Sequence, residues 1–173
     1  MPSSPLRLSL LQLGGEDAFE RYHARFRELY HSDPIHDVLG RQVEFPPHSC
    51  RHVCFKTEHE DSYGKEKRAV WNQARAERIE WILQALLNPQ EIRPSHQRDD
   101  HQAYFLGVCV VRLETPDRLE RFGVYVSATP KATVVTFLSA YPMEEPYWRK
   151  TREAGPAIYP PPAPKAPKKK RRK

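Results

Sequence analysis

Histidine and cysteine side chains, which can bind metals or transfer protons, are concentrated in the segment PHSCRHVCFKTEHED. Four of them fall on every second position: His48, Cys50, His52 and Cys54. The composition of RHVCFKT predicts a strand, and alternate residues of a strand lie about 6.6 Å apart. Such side chains cannot converge on one zinc ion, whose ligand bonds are about 2.0–2.3 Å long. We therefore expect no metal site here and no bound cofactor.

The same segment contains candidates for proton transfer. Imidazole is the side chain most often used as a general acid or base, and either His52 or His59, beside Lys56, can move a proton next to a phosphate. The alternative is structural. His52 then shares a strand face with Cys50 and Cys54 and packs partly buried, and His59 is an ordinary surface histidine.

Two arginines are the candidate anion-binding residues. Arg75 continues the spacing of Ile79, Ile82 and Leu86, which predicts a guanidinium in line with a buried apolar stripe. Arg78 lies about one turn further along, so the two can present a fork to a phosphate. The alternative for Arg75 is that its charged end reaches the edge of the core or pairs with a carboxylate.

The segment TVVTFLSAY supplies two further candidates on a predicted strand. Strict alternation places Thr136 with Val134 and Leu138 on one face, where Thr136 is the polar member. It places Tyr141 on the opposite face, where its ring can stack on a base or contact a phosphate. Both residues also suit a strand with no special role.

The positive charge of the chain is confined to its end. The 173 residues carry 28 Lys and Arg against 22 Asp and Glu, a formal charge of +6. Residues 165–173 hold seven of those basic side chains and no acid, so the body is near neutral. Such a cluster binds polyanions by releasing counterions, or acts as a nuclear-import address or a solubilising terminus. The candidate nucleic-acid-binding residues of this tail are Lys168, Lys169, Lys170, Arg171 and Arg172.

Composition excludes several classes of protein. No apolar run approaches the ~18 residues of a transmembrane helix, and no secretory cleavage pattern follows the leucine-rich start. The three cysteines do not form a disulfide framework, which is typical of a reducing compartment. We therefore expect free thiols and a cytoplasmic protein that does not associate with membranes.

The elements that would position these residues follow from periodicity. Amphipathic spacing predicts a helix over 16–31 and a long helix over 65–87. Alternating runs predict antiparallel strands in EIRPS, AYFLGVCVVRLE, RFGVYVSA and TVVTFLSAY. We therefore expect an α+β fold, with helices on one face of a small antiparallel sheet and the other face open for binding. The tail over 143–173, rich in proline and lysine, is expected to be disordered.

The order of these pieces also resembles a known family. A His-containing strand, HVCFKTEH, precedes the helix RAERIEWILQALLNPQEIR, and the strands AYFLGVCVV and VVTFLSAYP follow. This resembles the phage and bacterial branch of the barnase, EndoU, colicin and RelE-like (BECR) ribonuclease superfamily, in which phrases like LLNPQEI and VVTFLSAY frame the site. The resemblance covers about residues 48–142. It divides the chain into a helical extension over 1–47, a nuclease domain over 48–142 and the basic tail.

The resemblance implies a toxin-type endoribonuclease that cleaves tRNA or mRNA without a metal, restrained by an antitoxin or immunity protein. The ribose 2′-OH attacks the adjacent phosphorus, with His52 or His59 transferring protons. Arg75 and Arg78 stabilise the phosphate and Thr136 orients it. One alternative is a non-catalytic RNA- or DNA-binding protein that uses the open sheet face and the tail. Another is an interaction domain whose tail only adds charge.

Overall fold

Nine strands and five helices form the part of the chain that the computed structural model describes, residues 4–60, 66–98, 100–129, 131–153 and 155–160. Only the backbone is described at 57–60, 66–69 and 97–98. The strands are Leu6–Leu8 (β1), Ile35–His36 (β2), Gln42–Glu44 (β3), Phe55–Glu60 (β4), Glu66–Trp71 (β5), Glu91–Arg98 (β6), His101–Arg112 (β7), Leu119–Ala128 (β8) and Val134–Met143 (β9). The helices are Ala18–Tyr30 (α1), Ser49–Cys54 (α2), Gln73–Ala76 (α3), Ile79–Leu87 (α4) and Glu145–Glu153 (α5).

The four long alternating segments form the centre of one sheet. β6, β7, β8 and β9 pair antiparallel in sequence order, which confirms the α+β class and these strand predictions. The sheet has seven strands, however, because β1 adds parallel to β7, β3 adds parallel to β9, and β2 pairs with β3. The sheet is therefore larger than the small antiparallel sheet that we expected, and it is mixed because two of its pairings are parallel. Strands of two or three residues are too short to show the alternation by which a strand is recognised.

Residues 4–47 contribute to the same sheet and core as the later described elements. β1 pairs with β7, and the helix predicted over 16–31 is confirmed as α1, with Tyr22, Phe26 and Tyr30 buried in the main core. The Tyr30 hydroxyl donates to the carbonyl of Ile79 in α4. β1 and α1 therefore share one sheet and one core with elements that follow residue 47.

The long helix expected over 65–87 is interrupted. Residues 66–71 form β5, which pairs with β4 through Phe55 opposite Trp71. Asn72 then caps α3 by accepting a hydrogen bond from the backbone of Arg75 at 3.3 Å, as asparagine commonly does at a helix start. A turn at residues 77–78 separates α3 from α4. Good helix formers were outweighed here by long-range strand pairing.

The strand expected over RHVCFKT begins later than its composition indicated. Residues Ser49–Cys54 are the helix α2, and the strand β4 starts at Phe55. The second-position spacing of His and Cys therefore becomes two pairs of residues four apart on a helix, because i and i+4 share a helix face.

A β-bulge in β9 changes which side chains face the core. Phe137 pairs with Val126 and Ser139 with Tyr125, so one residue of β9 is left over between them. Phe137 and Ala140 consequently both face the main core, while Tyr141 faces the opposite side of the sheet. Strict alternation had placed Phe137 and Tyr141 together. A single extra residue reverses the faces of all that follow.

The second face of the sheet is covered by α5, which lies in the segment expected to be a disordered tail. Trp148 packs there on Phe105, Tyr125 and Met143. A Cβ on Gly107 would lie 2.6 Å from the Trp148 ring, so glycine allows this close approach. The prediction of an open face was therefore wrong over this area. After α5, Tyr159 forms an antiparallel bridge with Ile92, and the tail residues 161–173 lie outside the described part of the chain.

Within the described residues, no helix has both the length and the apolar character needed to span a membrane.

Candidate functional site

Three of the predicted residues meet in one cavity. Lys56, Arg75 and Tyr141 line a space of about 370 Å³, which we call the arginine cavity. The Arg75 guanidinium carbon lies 5.0 Å from the centre of the Tyr141 ring, within the distance of a cation–π interaction. The remaining lining residues are Asn72, Ala74, Pro142, Met143, Glu144 and Tyr147. The Asn72 cap of α3 and the bulge in β9 bring Arg75 and Tyr141 together.

A second cavity adjoins the first through two shared tyrosines, Tyr141 and Tyr147. It also encloses about 370 Å³, and we call it the tyrosine cavity. It lies over the second face of the sheet, between α5 and the strands β6, β8 and β9. The remaining lining residues are Ser95, His96, Tyr125, Leu138, Ser139, Lys150 and Thr151.

Three phenol rings separate and line these cavities. Tyr125 and Tyr141 are stacked, with ring centres 5.7 Å apart and planes at 20°. The ring centre of Tyr147 lies 6.2 Å from that of Tyr141. The Tyr141 hydroxyl donates a hydrogen bond to the Tyr147 hydroxyl oxygen at 3.4 Å. Burial raises the pKa of Tyr141, helped by that hydrogen bond to Tyr147, and burial likewise raises the pKa of Tyr125. The hydroxyls of Tyr125 and Tyr141 therefore stay neutral near neutral pH, where the two side chains offer flat surfaces and hydrogen bonds but no general base.

The lining of the two cavities carries more positive than negative charge. Lys56 and Arg75 lie in the arginine cavity and Lys150 in the tyrosine cavity, against the single carboxylate of Glu144. Two cavities with cations on either side of an aromatic wall suit a ligand that carries both flat rings and negative charge.

Sequence reasoning missed most members of the tyrosine cavity, among them three side chains that can bind or stack, His96, Tyr147 and Lys150. His96 lies on β6, where its Nδ1 is 3.3 Å from the Ser95 hydroxyl oxygen. Tyr147 and Lys150 lie on α5, within the expected tail. The signal for α5 was present, because EEPYWRKTRE places acids in the first turn and bases in the last, as the helix dipole favours. The segment was nevertheless expected to be disordered, because it contains prolines and leads into the basic end of the chain.

Arg78, expected beside Arg75, has a structural role. Its guanidinium is buried and forms an ion pair with Glu120 at 2.7 Å, and it also donates to the carbonyl of Ala74. Arg112 pairs with the other carboxylate oxygen of Glu120 at 2.7 Å. The expected fork of Arg75 and Arg78 is therefore absent: Arg78 does not line the cavity that contains Arg75.

The other predicted catalytic residues lie elsewhere or outside the description. Thr136 lines a third cavity, between the end of α1 and residues 42–47. His52 lies on α2 with its ring centre 4.8 Å from that of His48. The side chain of His59 lies outside the described residues, as do the tail residues 168–172. The described members of the expected set, His52, Arg75, Arg78 and Thr136, are not brought to one place.

The cysteines of α2 form a buried pair. The sulfur atoms of Cys50 and Cys54 are 3.8 Å apart, and both thiols are free. The hydrogen bond to Cys50, together with burial, raises the pKa of Cys54, so its thiol is protonated at neutral pH. Among the described residues, no group of three or more His, Cys, Asp or Glu side chains could hold a metal ion.

Comparison with protein-family models, curated proteins and solved structures gives no match for this chain. The resemblance to BECR ribonucleases stays a prediction from the sequence.

Proposed function

We propose that the chain binds single-stranded RNA across the arginine and tyrosine cavities. The observation that carries this proposal is the Arg75 guanidinium over the Tyr141 ring, at the boundary between the two cavities. Nucleic-acid-binding proteins without strong sequence preference combine aromatic surfaces for bases with cations for phosphates. Here Tyr147, which is 47% exposed, offers the accessible ring, and Arg75, Lys56 and Lys150 offer the cations.

Single strands fit this arrangement better than duplexes. The rings lie inside concave cavities, and a base can stack on them only when its own faces are free. In a duplex the bases are stacked on each other, and a protein contacts mainly the phosphates and the base edges exposed in the grooves. The body of the chain is near neutral, so ring stacking must supply part of the affinity here.

Substitution Tyr147→Ala tests the stacking contact. We expect it to weaken binding of a fluorescent 20-nucleotide RNA about 5-fold or more, since one base–aromatic contact is worth ~1–3 kcal/mol and 5-fold corresponds to the lower limit of that range. The dependence on salt should stay the same because no cation is removed. Fluorescence anisotropy at several salt concentrations measures both quantities.

Leu113→Ala is the matched control, since Leu113 is also an exposed apolar side chain, in the turn after β7. It should bind RNA as the unmodified protein does. Equal affinity of the Tyr147→Ala protein and the control would contradict stacking on Tyr147. A duplex of the same sequence should bind more weakly than the single strand.

RNA cleavage is a second candidate function, favoured by His96 in the lining of the tyrosine cavity. An imidazole beside a bound phosphodiester can take the proton of the ribose 2′-OH. The 2′ oxygen then bonds to phosphorus, the bond to the 5′ oxygen breaks, and a lysine ammonium or water protonates that oxygen. The guanidinium of Arg75 would stabilise the added negative charge. The products are a 2′,3′-cyclic phosphate and a 5′-hydroxyl end.

The cleavage candidate predicts fragments in EDTA. End-labelled tRNA and mRNA incubated with the protein should give discrete products with cyclic phosphate ends, and His96→Ala should reduce their rate about 10-fold or more, a typical share for general acid–base catalysis. His101→Ala is the control, because His101 is an exposed histidine on the neighbouring strand. RNA left intact by the unmodified protein would exclude cleavage and leave the binding proposal unaffected.

A further inference from the structure

The tyrosine cavity has the lining of a site for one flat, polar ring. Its apolar surface comes from Tyr125, Tyr141 and Leu138, all from the central strands of the sheet. Tyr125 and Tyr141 hold each other in place by stacking, and Trp148 packs beside them in the same cluster. A rigid aromatic surface of this kind loses little entropy when it binds a ring.

Polar groups are placed around this apolar surface. Ser139 contributes a hydroxyl from β9, and Ser95 contributes another from β6. The Thr151 hydroxyl lines the same cavity and donates to the carbonyl of Tyr147 at 3.0 Å. A few fixed polar groups on a mostly apolar lining are what give small-molecule sites their specificity.

The volume of the cavity and the charges near it restrict which ligands can fit. About 370 Å³ lies near the lower end of the range for small-molecule sites, which suits one ring system with its sugar. Lys150 lines this cavity, and Arg75 lies across Tyr141 from it. These cations favour a ring that has an anion attached to it.

We infer that the tyrosine cavity receives a single unstacked nucleobase, while Arg75 and Lys150 bind the phosphates on either side of that nucleotide. The inference rests on the proposed function and adds a base-selective subsite to it. A cavity with hydrogen-bonding groups discriminates among bases, because the wrong base leaves buried polar groups unpaired. The chain should therefore bind one of AMP, GMP, CMP and UMP at least 5-fold more tightly than the weakest of them.

Filling the cavity tests the inference. Ser139→Phe places a large ring in the lining, on a strand that tolerates aromatic residues. We expect it to weaken binding of the preferred mononucleotide at least 5-fold. The affinities for AMP, GMP, CMP and UMP should then become similar to one another. Ser127→Phe is the matched control, since Ser127 is also a half-buried strand serine but does not line the cavity. Equilibrium dialysis measures mononucleotide binding, and circular dichroism checks that both variants fold.

The same proteins, titrated with the 20-nucleotide RNA, separate this inference from the proposed function. Selective mononucleotide binding that Ser139→Phe abolishes supports the subsite, whether or not the RNA binds. If the RNA binds but the mononucleotides do not, or Ser139→Phe changes nothing, the subsite is overturned and RNA binding stands. If neither ligand binds, both are overturned. If a tyrosine phosphate monoester binds as tightly as the best nucleotide, the site takes a phosphorylated aromatic ring in general, which also overturns selectivity for a base.

Discussion

Substitution Glu120→Ala is expected to lower the free energy of unfolding by about 3–5 kcal/mol, the usual effect of breaking a buried ion pair by removing one partner. The Glu120 carboxylate forms ion pairs with Arg78 and Arg112, each at 2.7 Å, and it accepts hydrogen bonds from Arg78. These three side chains are between 8% and 16% exposed. Without the carboxylate, two guanidinium groups would face each other with little water to solvate them. Urea denaturation monitored by tryptophan fluorescence measures the change.

The matched control is Glu28→Ala, which removes an ion pair with Arg25 at the surface, where Glu28 is 67% exposed. We expect that change to stay within about 1 kcal/mol, as is usual for exposed pairs. A loss below about 1 kcal/mol for Glu120→Ala would contradict the structural role of this network. Arg78→Met in the Glu120→Ala background should restore part of the stability, because it removes one of the two uncompensated charges.

Substitution Arg75→Ala is expected to weaken binding of single-stranded RNA at least 10-fold while leaving the fold intact. The guanidinium lies over Tyr141 between the two cavities. Under the proposed function, the substitution removes both a cation for phosphates and the planar group that covers the Tyr141 ring. Removing one such cation should reduce the slope of log affinity against log salt by about 1. Anisotropy titrations at several salt concentrations measure both effects.

Two further variants sharpen the test of Arg75. Arg27→Ala removes the same charge from an exposed position on α1, and it should leave the affinity close to that of the unmodified protein. Arg75→Lys keeps the charge but not the planar group that stacks on Tyr141, so it should recover the salt slope and only part of the affinity. Unchanged affinity and slope in the Arg75→Ala protein would remove Arg75 from the site.

These two predictions assign different roles to two arginines, Arg75 and Arg78, that look equivalent in the sequence. Arg75 and Arg78 are three residues apart in one helix-forming segment, and spacing alone suggests that they act together. The turn that ends α3 separates them. Glu120, more than 40 residues away along the chain, holds Arg78 in a buried pair. No local pattern could have identified that partner.

The sequence by itself determined the elements whose periodicity is strong and long. α1 and the strands β7 to β9 were predictable, because apolar spacing over ten or more residues reports a face that must be buried. The shorter β6 was predicted from the composition of EIRPS. The α+β class follows from these elements alone. Arg75, Lys56 and Tyr141 were also recognisable as candidates by residue type, although nothing local indicated that they would meet.

Only the tertiary structure decided how these parts form a site. β5 forms because Val70 and Trp71 pair with residues of β4. The bulge in β9 turns Tyr141 away from the main core. α5 packs on the second face because Gly107 leaves room for Trp148, and this brings Tyr147 and Lys150 to Tyr141. Each of these outcomes depends on contacts between residues distant in sequence. Local propensity and spacing do not contain that information, because the energy of a pairing or a packed face is set by the partner as much as by the segment itself.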